Sequence, residues 1–211
     1  MKSIFEDKGM QILEMEKCRR DVRHWLFNWV MTKDEHDDIN PYKSFPLKSY
    51  LIDIINAWET HNLLLIPKSR QMMITWLIIS LYLWDVMFKR GRLVFFQSKK
   101  EKDADELLLR CLTIIENFPN WLKPKFKYKY CELEIPTMNS RIKAIPQGGD
   151  QLRSYTASGV FIDEMAFMPE ARDTITACKP AIVGGGKITC VSSANPSFFE
   201  LLVNDKEIDN V

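Results

Sequence analysis

The stretch "LLLIPKSRQMMITW", residues 63–76, decides the fold of this chain. Its apolar start, Leu63–Ile66, is typical of a buried strand, and the apolar run that follows it, Ile74–Met87, is typical of a buried helix. A strand that turns through a short polar loop into a helix is the arrangement that binds phosphate groups in many nucleotide-dependent enzymes. This segment therefore raises the question of whether its loop can hold a nucleoside triphosphate.

The loop departs from the usual phosphate-binding pattern, G-x-x-x-x-G-K-S/T. If Thr75 supplies the hydroxyl, Lys68 and Met73 occupy the two glycine positions and Ile74 occupies the lysine position. The first and seventh positions of such a loop both lie near the bound anion, so Lys68 can replace the missing cation, with Arg70 as a second charge. We therefore predict a nucleotide-binding segment formed by Lys68, Ser69, Arg70, Gln71, Met72, Met73, Ile74 and Thr75. The alternative is a loop-to-helix junction whose charges are only solvated.

The composition indicates an ordinary globular protein. The 211 residues are 46% hydrophobic and 27% charged, and the formal net charge is +1, so nucleic-acid contacts would have to be local. The five cysteines are scattered without a CxxC pair, which predicts neither a disulfide framework nor a zinc site. The longest apolar stretch is too short to span a bilayer and the amino terminus has no secretory pattern, so we expect a cytoplasmic protein without membrane contact.

Strands and helices alternate along most of the chain, which predicts an α/β fold with a central, mainly parallel sheet. Further strands are predicted at Arg92–Gln97, Gly159–Asp163 and Lys187–Ser192, and an edge hairpin at Tyr130–Ile145. Helices are predicted at 10–31, 47–61, 74–87 and 100–118, and after Pro169. We expect an N-terminal helical extension, residues 1–45, and a core domain, residues 46–211.

Two later strands end in residues that suit nucleotide chemistry. The strand "VFIDE" ends in Asp163 and Glu164, where ATPases place one acid to bind magnesium and another to polarise the attacking water. Alternatively, these acids only cap the next loop. The strand "ITCVSSANP", 188–196, opens into Ser192, Ser193 and Ala194, whose short polar groups can touch both the phosphate and the acids. A plain Asn-Pro turn would look the same.

Together, "PKSRQMMITW", "GVFIDEMAF" and "TCVSSANP" resemble the three ATPase motifs of the large terminase subunit, the motor that packages viral DNA. The resemblance covers roughly residues 45–200. It implies a P-loop NTPase of the additional-strand type that uses ATP and Mg²⁺. In this family cations often lie early in the loop, which agrees with Lys68 and Arg70, whereas many relatives keep glycine at the position of Met73.

The resemblance also implies a role for each matching residue. Thr75 and Asp163 would bind the metal, Glu164 would orient the water, and Ser192–Ala194 would couple hydrolysis to movement. The segment "QGGDQLR", 147–153, resembles the family segment whose arginine reaches the nucleotide of a neighbouring subunit, so Arg153 would be catalytic together with Lys68 and Glu164. A surface arginine is the alternative for Arg153.

The same resemblance implies partners and a location. Double-stranded DNA, the portal protein and the small terminase subunit would be partners of an active homo-oligomeric ring, found in the host cytoplasm and transiently docked on the procapsid. The nuclease domain that usually follows the ATPase domain is expected to be absent from this polypeptide. Two alternatives remain: a superfamily-two helicase-like translocase, and a degenerate, non-hydrolysing nucleotide-fold module that binds a partner protein.

A basic segment, "KPKFKYK", places lysines at alternate positions from 123 to 129. In an extended segment these lysines share one side, so they could contact phosphate groups. An edge strand protected by lysines against aggregation has the same pattern, and we favour that interpretation. The tryptophans at 76, 84 and 121 are expected to serve packing.

Overall fold

The computed structural model describes residues 7–153 and 155–204. Its N-terminal part contains two helices, α1 (Lys8–Arg20) and α2 (Val22–Trp29), rather than the single helix predicted for 10–31. The prediction was wrong because the apolar spacing continues through Asp21, which has extended backbone angles and ends α1. The Asp21 carboxylate then accepts a 2.8 Å hydrogen bond from the Arg23 N–H and so caps α2. A small antiparallel pair follows, β1 (Met31–Lys33) and β2 (Tyr42–Ser44).

The central sheet has seven strands in the order β3-β9-β8-β4-β7-β6-β5. The first five strands run parallel, β6 runs antiparallel to β7, and β5 runs antiparallel to β6. This arrangement confirms the predicted α/β fold and the hairpin. The elements from α3 onward are α3 (Ser49–Thr60), β3 (Leu63–Lys68), α4 (Ile74–Phe88), β4 (Leu93–Ser98), α5 (Glu101–Glu116), β5 (Lys127–Lys129), β6 (Glu132–Ile135), β7 (Ser140–Pro146), α6 (Asp150–Arg153), β8 (Gly159–Asp163), α7 (Ala171–Val183), β9 (Lys187–Ser193) and α8 (Phe198–Asn204).

Alternating side chains of the parallel strands enter two different layers of the core. Val94, Phe96 and Phe161 pack with α4 and α5 on one face of the sheet. On the other face, Phe95 and Val160 pack with α7 and α8. Strands that are buried on both faces are expected to be apolar almost throughout, as these are.

Helix α4 is apolar on all sides because it lies between the sheet and the neighbouring helices. Twelve of its fifteen residues are buried, including Trp84. The N-terminal helices belong to the same core. The ring centroid of Trp25, in α2, lies 5.8 Å from that of Phe118 and 6.4 Å from that of Phe88. The boundary proposed at residue 45 stays a prediction.

The two outer strands carry residues suited to a sheet edge. Pro67 lies in β3, which pairs only with β9 among the described strands, so its missing N–H breaks no ladder. At the other edge, Lys127 and Lys129 of β5 are exposed, which is the edge-strand placement predicted for the basic segment. No helix within 7–153 or 155–204 has both the length and the apolar character needed to cross a bilayer.

Candidate nucleotide site

The sheet brings most of the predicted site residues together at the carboxyl ends of its parallel strands. Strands β3, β9 and β8 are parallel neighbours, so their carboxyl ends meet there. The register pairs Lys68 with Ser193. Strand β8 ends at Asp163, and Glu164 follows directly. The carboxyl edge of parallel strands is where ligands of open α/β sheets bind, and this edge is therefore the candidate site.

The loop between β3 and α4 has the backbone shape that glycine favours, although it contains no glycine. Gln71 and Met73 have left-handed backbone angles, with φ of 61° and 58°. Met73 begins α4 without a side-chain cap, and its carbonyl accepts the 2.9 Å bond from the Leu77 N–H. The first N–H groups of α4 are thus available to an anion, as helix N-termini generally are.

Tyr50, at the start of α3, fastens this loop to the body of the domain. Its hydroxyl donates a 3.1 Å hydrogen bond to the carbonyl oxygen of Met72, and the Met72 side chain packs against the main core. The residue just before the left-handed Met73 is therefore held from two sides. Sequence reasoning did not find Tyr50, because nothing in its local pattern indicates a contact 22 residues away.

A chain of polar contacts joins the predicted cation, the predicted base and the coupling strand. Lys68 Nζ lies 3.2 Å from Glu164 Oε1, and its side chain is only 9% exposed. The Ser193 hydroxyl donates a 3.2 Å hydrogen bond to the other oxygen, Oε2. Glu164 itself has left-handed backbone angles, φ 54°, which turn it away from the strand direction. Both carboxylate oxygens of Glu164 thus have a fixed partner.

The second pair consists of the predicted metal ligands. The Thr75 hydroxyl donates to Asp163 Oδ1 at 3.2 Å. Burial, with the charge of Glu164 beside it, raises the pKa of Asp163 to about 6, although Lys68, Arg110 and Thr75 act in the opposite direction. A hydroxyl and a buried carboxylate at this distance are oxygen ligands of the kind Mg²⁺ takes, and a cation there would offset the unfavourable carboxylate charge. The two residues therefore fit a magnesium ion.

The end of β9 also holds the turn that follows Glu164. The Ser192 hydroxyl accepts a 3.0 Å hydrogen bond from the Ala166 N–H, and the Asn195 amide donates a 3.0 Å bond to the Ala166 carbonyl. Together with Ser193, these contacts fix both the predicted base and its turn. Asn195 belongs to the third motif, but the sequence did not indicate its contact with this turn.

The remaining predicted residues lie at the surface of the site. Ser69, Arg70 and Ala194 are exposed, and Arg70 forms no ion pair among the residues that the structure describes. Arg153 is also exposed, and its guanidinium lies 3.5 Å from Asp150 on the same short helix, α6. The structure thus does not bring Arg153 into contact with Lys68 or Glu164.

The segment that carries Arg153 is nevertheless firmly held. Gln97, at the end of β4, is fully buried and donates from Nε2 to the carbonyl oxygens of Pro146 at 2.7 Å and Gly148 at 2.8 Å. The Gly148 N–H donates to the buried Thr174 hydroxyl at 3.2 Å. A Cβ on Gly149 would come within 2.7 Å of the Ala177 Cβ. Gln97, which sequence reasoning missed, therefore ties this segment to the sheet edge.

The strand order places β9 between the loop strand β3 and the acidic strand β8, which is the arrangement expected for a P-loop NTPase fold of the additional-strand type. No family model matches the sequence.

Solved structures of phage large terminases have a similar fold. The HK97 bacteriophage large terminase is 12% identical over 91% of this chain and 42% of its own length, with a TM-score of 0.71. The ATPase domain of a Thermus phage large terminase is 13% identical over 74% of this chain and 68% of that domain, with a TM-score of 0.56. The resemblance expected from the three motifs is confirmed at the level of the fold.

One further similar structure contains a nucleotide. The large terminase of a thermophilic bacteriophage in complex with ADP is 13% identical over 72% of this chain and 39% of that chain, with a TM-score of 0.55. The present chain thus spans about 40% of the length of the full terminases it matches.

Proposed function

We propose that this chain is the ATPase part of a large terminase and couples hydrolysis of Mg-ATP to translocation of double-stranded viral DNA into a procapsid. The observation that carries the proposal is the joined set Lys68, Glu164 and Ser193 beside the pair Thr75 and Asp163 at one sheet edge. The likeness to an ADP-bound terminase supports the assignment of a nucleotide to this edge.

Lys68 and the loop would bind the phosphate groups of ATP. The Lys68 ammonium is paired at present with the carboxylate of Glu164, 3.2 Å away. Phosphate oxygens would compete with Glu164 for this cation. Once Lys68 turns toward the phosphates, Glu164 keeps only its bond from Ser193 and can accept a hydrogen bond from the attacking water.

Thr75 and Asp163 would hold the magnesium ion. When bound, the ion neutralises charge that develops on the phosphate oxygens. Asp163 must be ionised to serve, and its pKa of about 6 implies that protons compete with the metal in mildly acidic solution.

Ser192, Ser193 and Ala194 would couple hydrolysis to movement. Ser193 contacts the carboxylate of Glu164, while Ser192 contacts the turn at Ala166, so a shift of Glu164 or of this turn would displace the end of β9. Helix α8 begins at Phe198, soon after this strand end, and its side chains pack into the α7 side of the core. We expect α8 to be the first element that responds to the state of the nucleotide.

The proposed oligomer requires Arg153 to act on a neighbouring subunit. Its side chain is 60% exposed and its ion pair with Asp150 is on the surface, so the phosphates of a neighbouring subunit's nucleotide could replace Asp150 as its partner. The homo-oligomeric ring, the portal protein, the small terminase subunit and transient docking on the procapsid in the host cytoplasm are parts of this proposal.

ATP hydrolysis by purified protein tests the enzymatic part. We expect slow hydrolysis that requires Mg²⁺ and is stimulated by double-stranded DNA. Glu164→Ala should abolish turnover and leave ATP binding intact, whereas Glu106→Ala, which removes an exposed glutamate of α5, should change neither. Absence of ATP binding at millimolar concentration would favour the interaction module instead. Unwinding of duplex DNA would favour the helicase-like translocase.

A mixing experiment tests the shared site. Glu164→Ala and Arg153→Ala proteins should each be inactive, but a mixture should regain part of the activity, because some interfaces then combine an intact Glu164 with an intact Arg153. A mixture as inactive as its components would refute the assignment of Arg153 to a neighbouring subunit, while wild-type hydrolysis would still stand.

A further inference from the structure

Helix α1 is attached to the domain in an unusual way. Its buried side chains are Glu14 and Cys18, 7% and 0% exposed, while its apolar residues Met10, Ile12 and Leu13 are exposed. Helices on globular domains normally turn an apolar stripe inward. The spacing of four residues places the carboxylate and the thiol on one face of α1, so a polar pair occupies the position where an apolar stripe is expected.

A third potential metal ligand lies opposite this pair. After the break at Asp21, α2 returns His24 to the same region, and His24 Nε2 lies 2.5 Å from Glu14 Oε1. One ligand atom from each of Glu14, Cys18 and His24 can be chosen so that all three lie within 4.8 Å of one another. The carboxylate, thiolate and imidazole of these residues are ligand types that zinc accepts.

The surroundings hold the three side chains in place. Trp29 Nε1 donates a 3.0 Å hydrogen bond to Glu14 Oε1, and Trp84 Nε1 of the buried helix α4 donates a 2.8 Å bond to the Cys18 carbonyl. The second carboxylate oxygen, Oε2, has the exposed Lys17 at 3.5 Å as its ion-pair partner. Because Lys17 is exposed, a cation could replace it at Oε2 while Oε1 keeps its bond to Trp29.

We propose that Glu14, Cys18 and His24 form a binding site for a zinc-class divalent cation, which fastens α1 to α2. Zinc takes bond lengths of about 2.0 Å to oxygen and nitrogen and about 2.3 Å to sulfur, and a water molecule would complete a tetrahedral set. On binding, the hydrogen bond between His24 and Glu14 would be replaced by bonds from both residues to the metal. Despite its burial, Glu14 has a lowered pKa because of hydrogen bonds from His24 and Trp29, so this carboxylate is ionised and available as a ligand, and the cation supplies the charge that the buried Cys18 thiolate requires.

Binding of a cation at Cys18 can be measured by absorption spectroscopy. Burial, with Glu14 nearby, raises the pKa of this thiol to about 12, so the side chain is a neutral thiol unless a cation replaces its proton. A metal–thiolate absorption band would therefore report occupancy directly. This site lies on α1 and α2, so its test is independent of ATP hydrolysis.

The experiment uses the full chain after treatment with a chelator, titrated with Co²⁺ and then with Zn²⁺. We expect one equivalent of Co²⁺ to bind with a cobalt–thiolate band, and Zn²⁺ to displace it and raise Tm. Cys18→Ser should abolish the band, and His24→Gln should weaken Zn²⁺ binding by about 100-fold or more, since even outer-shell changes cost 10–100-fold. Cys131→Ser, outside the cluster, should keep both properties.

Limited trypsin digestion gives a second measurement. Arg19 and Arg20 lie in the last turn of α1, and Zn²⁺ should slow cleavage there in wild type and not in the His24→Gln protein. If Co²⁺ gives no saturable thiolate band, or if the Cys18→Ser and His24→Gln proteins bind Zn²⁺ like wild type, the cluster is a hydrogen-bonded triad only and the proposal is wrong. Should Cys18→Ser fail to fold, the His24→Gln titration decides.

Discussion

Replacement of Asp163 by asparagine should make the protein more stable at neutral pH. The pKa of Asp163 is raised from its usual 3.8 to about 6 by burial and by the charge of Glu164. That difference corresponds to about 3 kcal/mol of unfavourable free energy in the ionised carboxylate. Asparagine has nearly the same shape, carries no charge and keeps an oxygen for the 3.2 Å bond from Thr75.

The sign of the pH dependence follows from the direction of this pKa change. Because the folded protein holds the proton more tightly than the unfolded chain, the penalty is absent below pH 4 and fully present above the folded pKa of about 6. Asp163→Asn should therefore unfold with nearly the wild-type free energy at pH 4 and with up to about 3 kcal/mol more at pH 7, as an upper bound.

Urea unfolding between pH 4 and pH 7, in the presence of a chelator, measures this difference. Asp53→Asn, which removes an exposed carboxylate on α3, serves as the control and should show no comparable trend. In a second series without the chelator, millimolar Mg²⁺ should stabilise wild type at pH 7 and not Asp163→Asn, because only the carboxylate offers a metal site. A stability difference that is the same at every pH, or a variant less stable than wild type at pH 7, would refute the argument.

Three further predictions concern the loop. Lys68→Ala should weaken ATP binding more than Arg70→Ala, because Lys68 is enclosed in the site and Arg70 is exposed; a fluorescent-nucleotide titration that shows the reverse would make the cation assignment wrong. Met73→Gly should keep ATP affinity and change the free energy of unfolding by no more than about 1 kcal/mol, because glycine adopts the observed left-handed angles freely; a larger loss in urea unfolding would assign an essential packing role to the methionine side chain. Tyr50→Phe should raise the KM for ATP by up to about tenfold with little change in kcat, since it removes one hydrogen bond of roughly 1 kcal/mol to the loop; an equal fall in kcat at unchanged KM would contradict this.

The sequence predicts the position of those site residues that follow apolar strands. The motifs assign Lys68, Asp163 and Ser193 to one site, and the structure places them together because parallel strands bring their carboxyl ends to the same side of the sheet. Their roles stay a prediction. The contacts of Asn195 with Ala166 and of Gln97 with Gly148 could not be predicted, because they depend on the order of strands and on the turn after Glu164.

The break in the N-terminal helix shows a different limit. Apolar side chains keep helical spacing on both sides of Asp21, so periodicity alone gives one helix. Asp21 could have indicated a helix start, because aspartate is a frequent N-cap. Aspartate also occurs inside continuous helices, so its presence does not show whether the chain breaks at this position. The cluster of Glu14, Cys18 and His24 exists only because the chain turns at this point, and linear cysteine spacing cannot reveal it.

The strained backbone of the loop between β3 and α4 supports the assignment of an anion-binding role to this loop. Left-handed angles at Gln71 and Met73 cost on the order of 1–2 kcal/mol each, and such strain persists where the surroundings impose it. Here Tyr50 holds the Met72 carbonyl between the two strained residues. A connection with no role beyond joining β3 to α4 would gain stability by relaxing, or by placing glycine at these positions. The strained loop leads directly into the start of α4, which has no side-chain cap, and we infer that an anion bound there is the reason for the strained conformation.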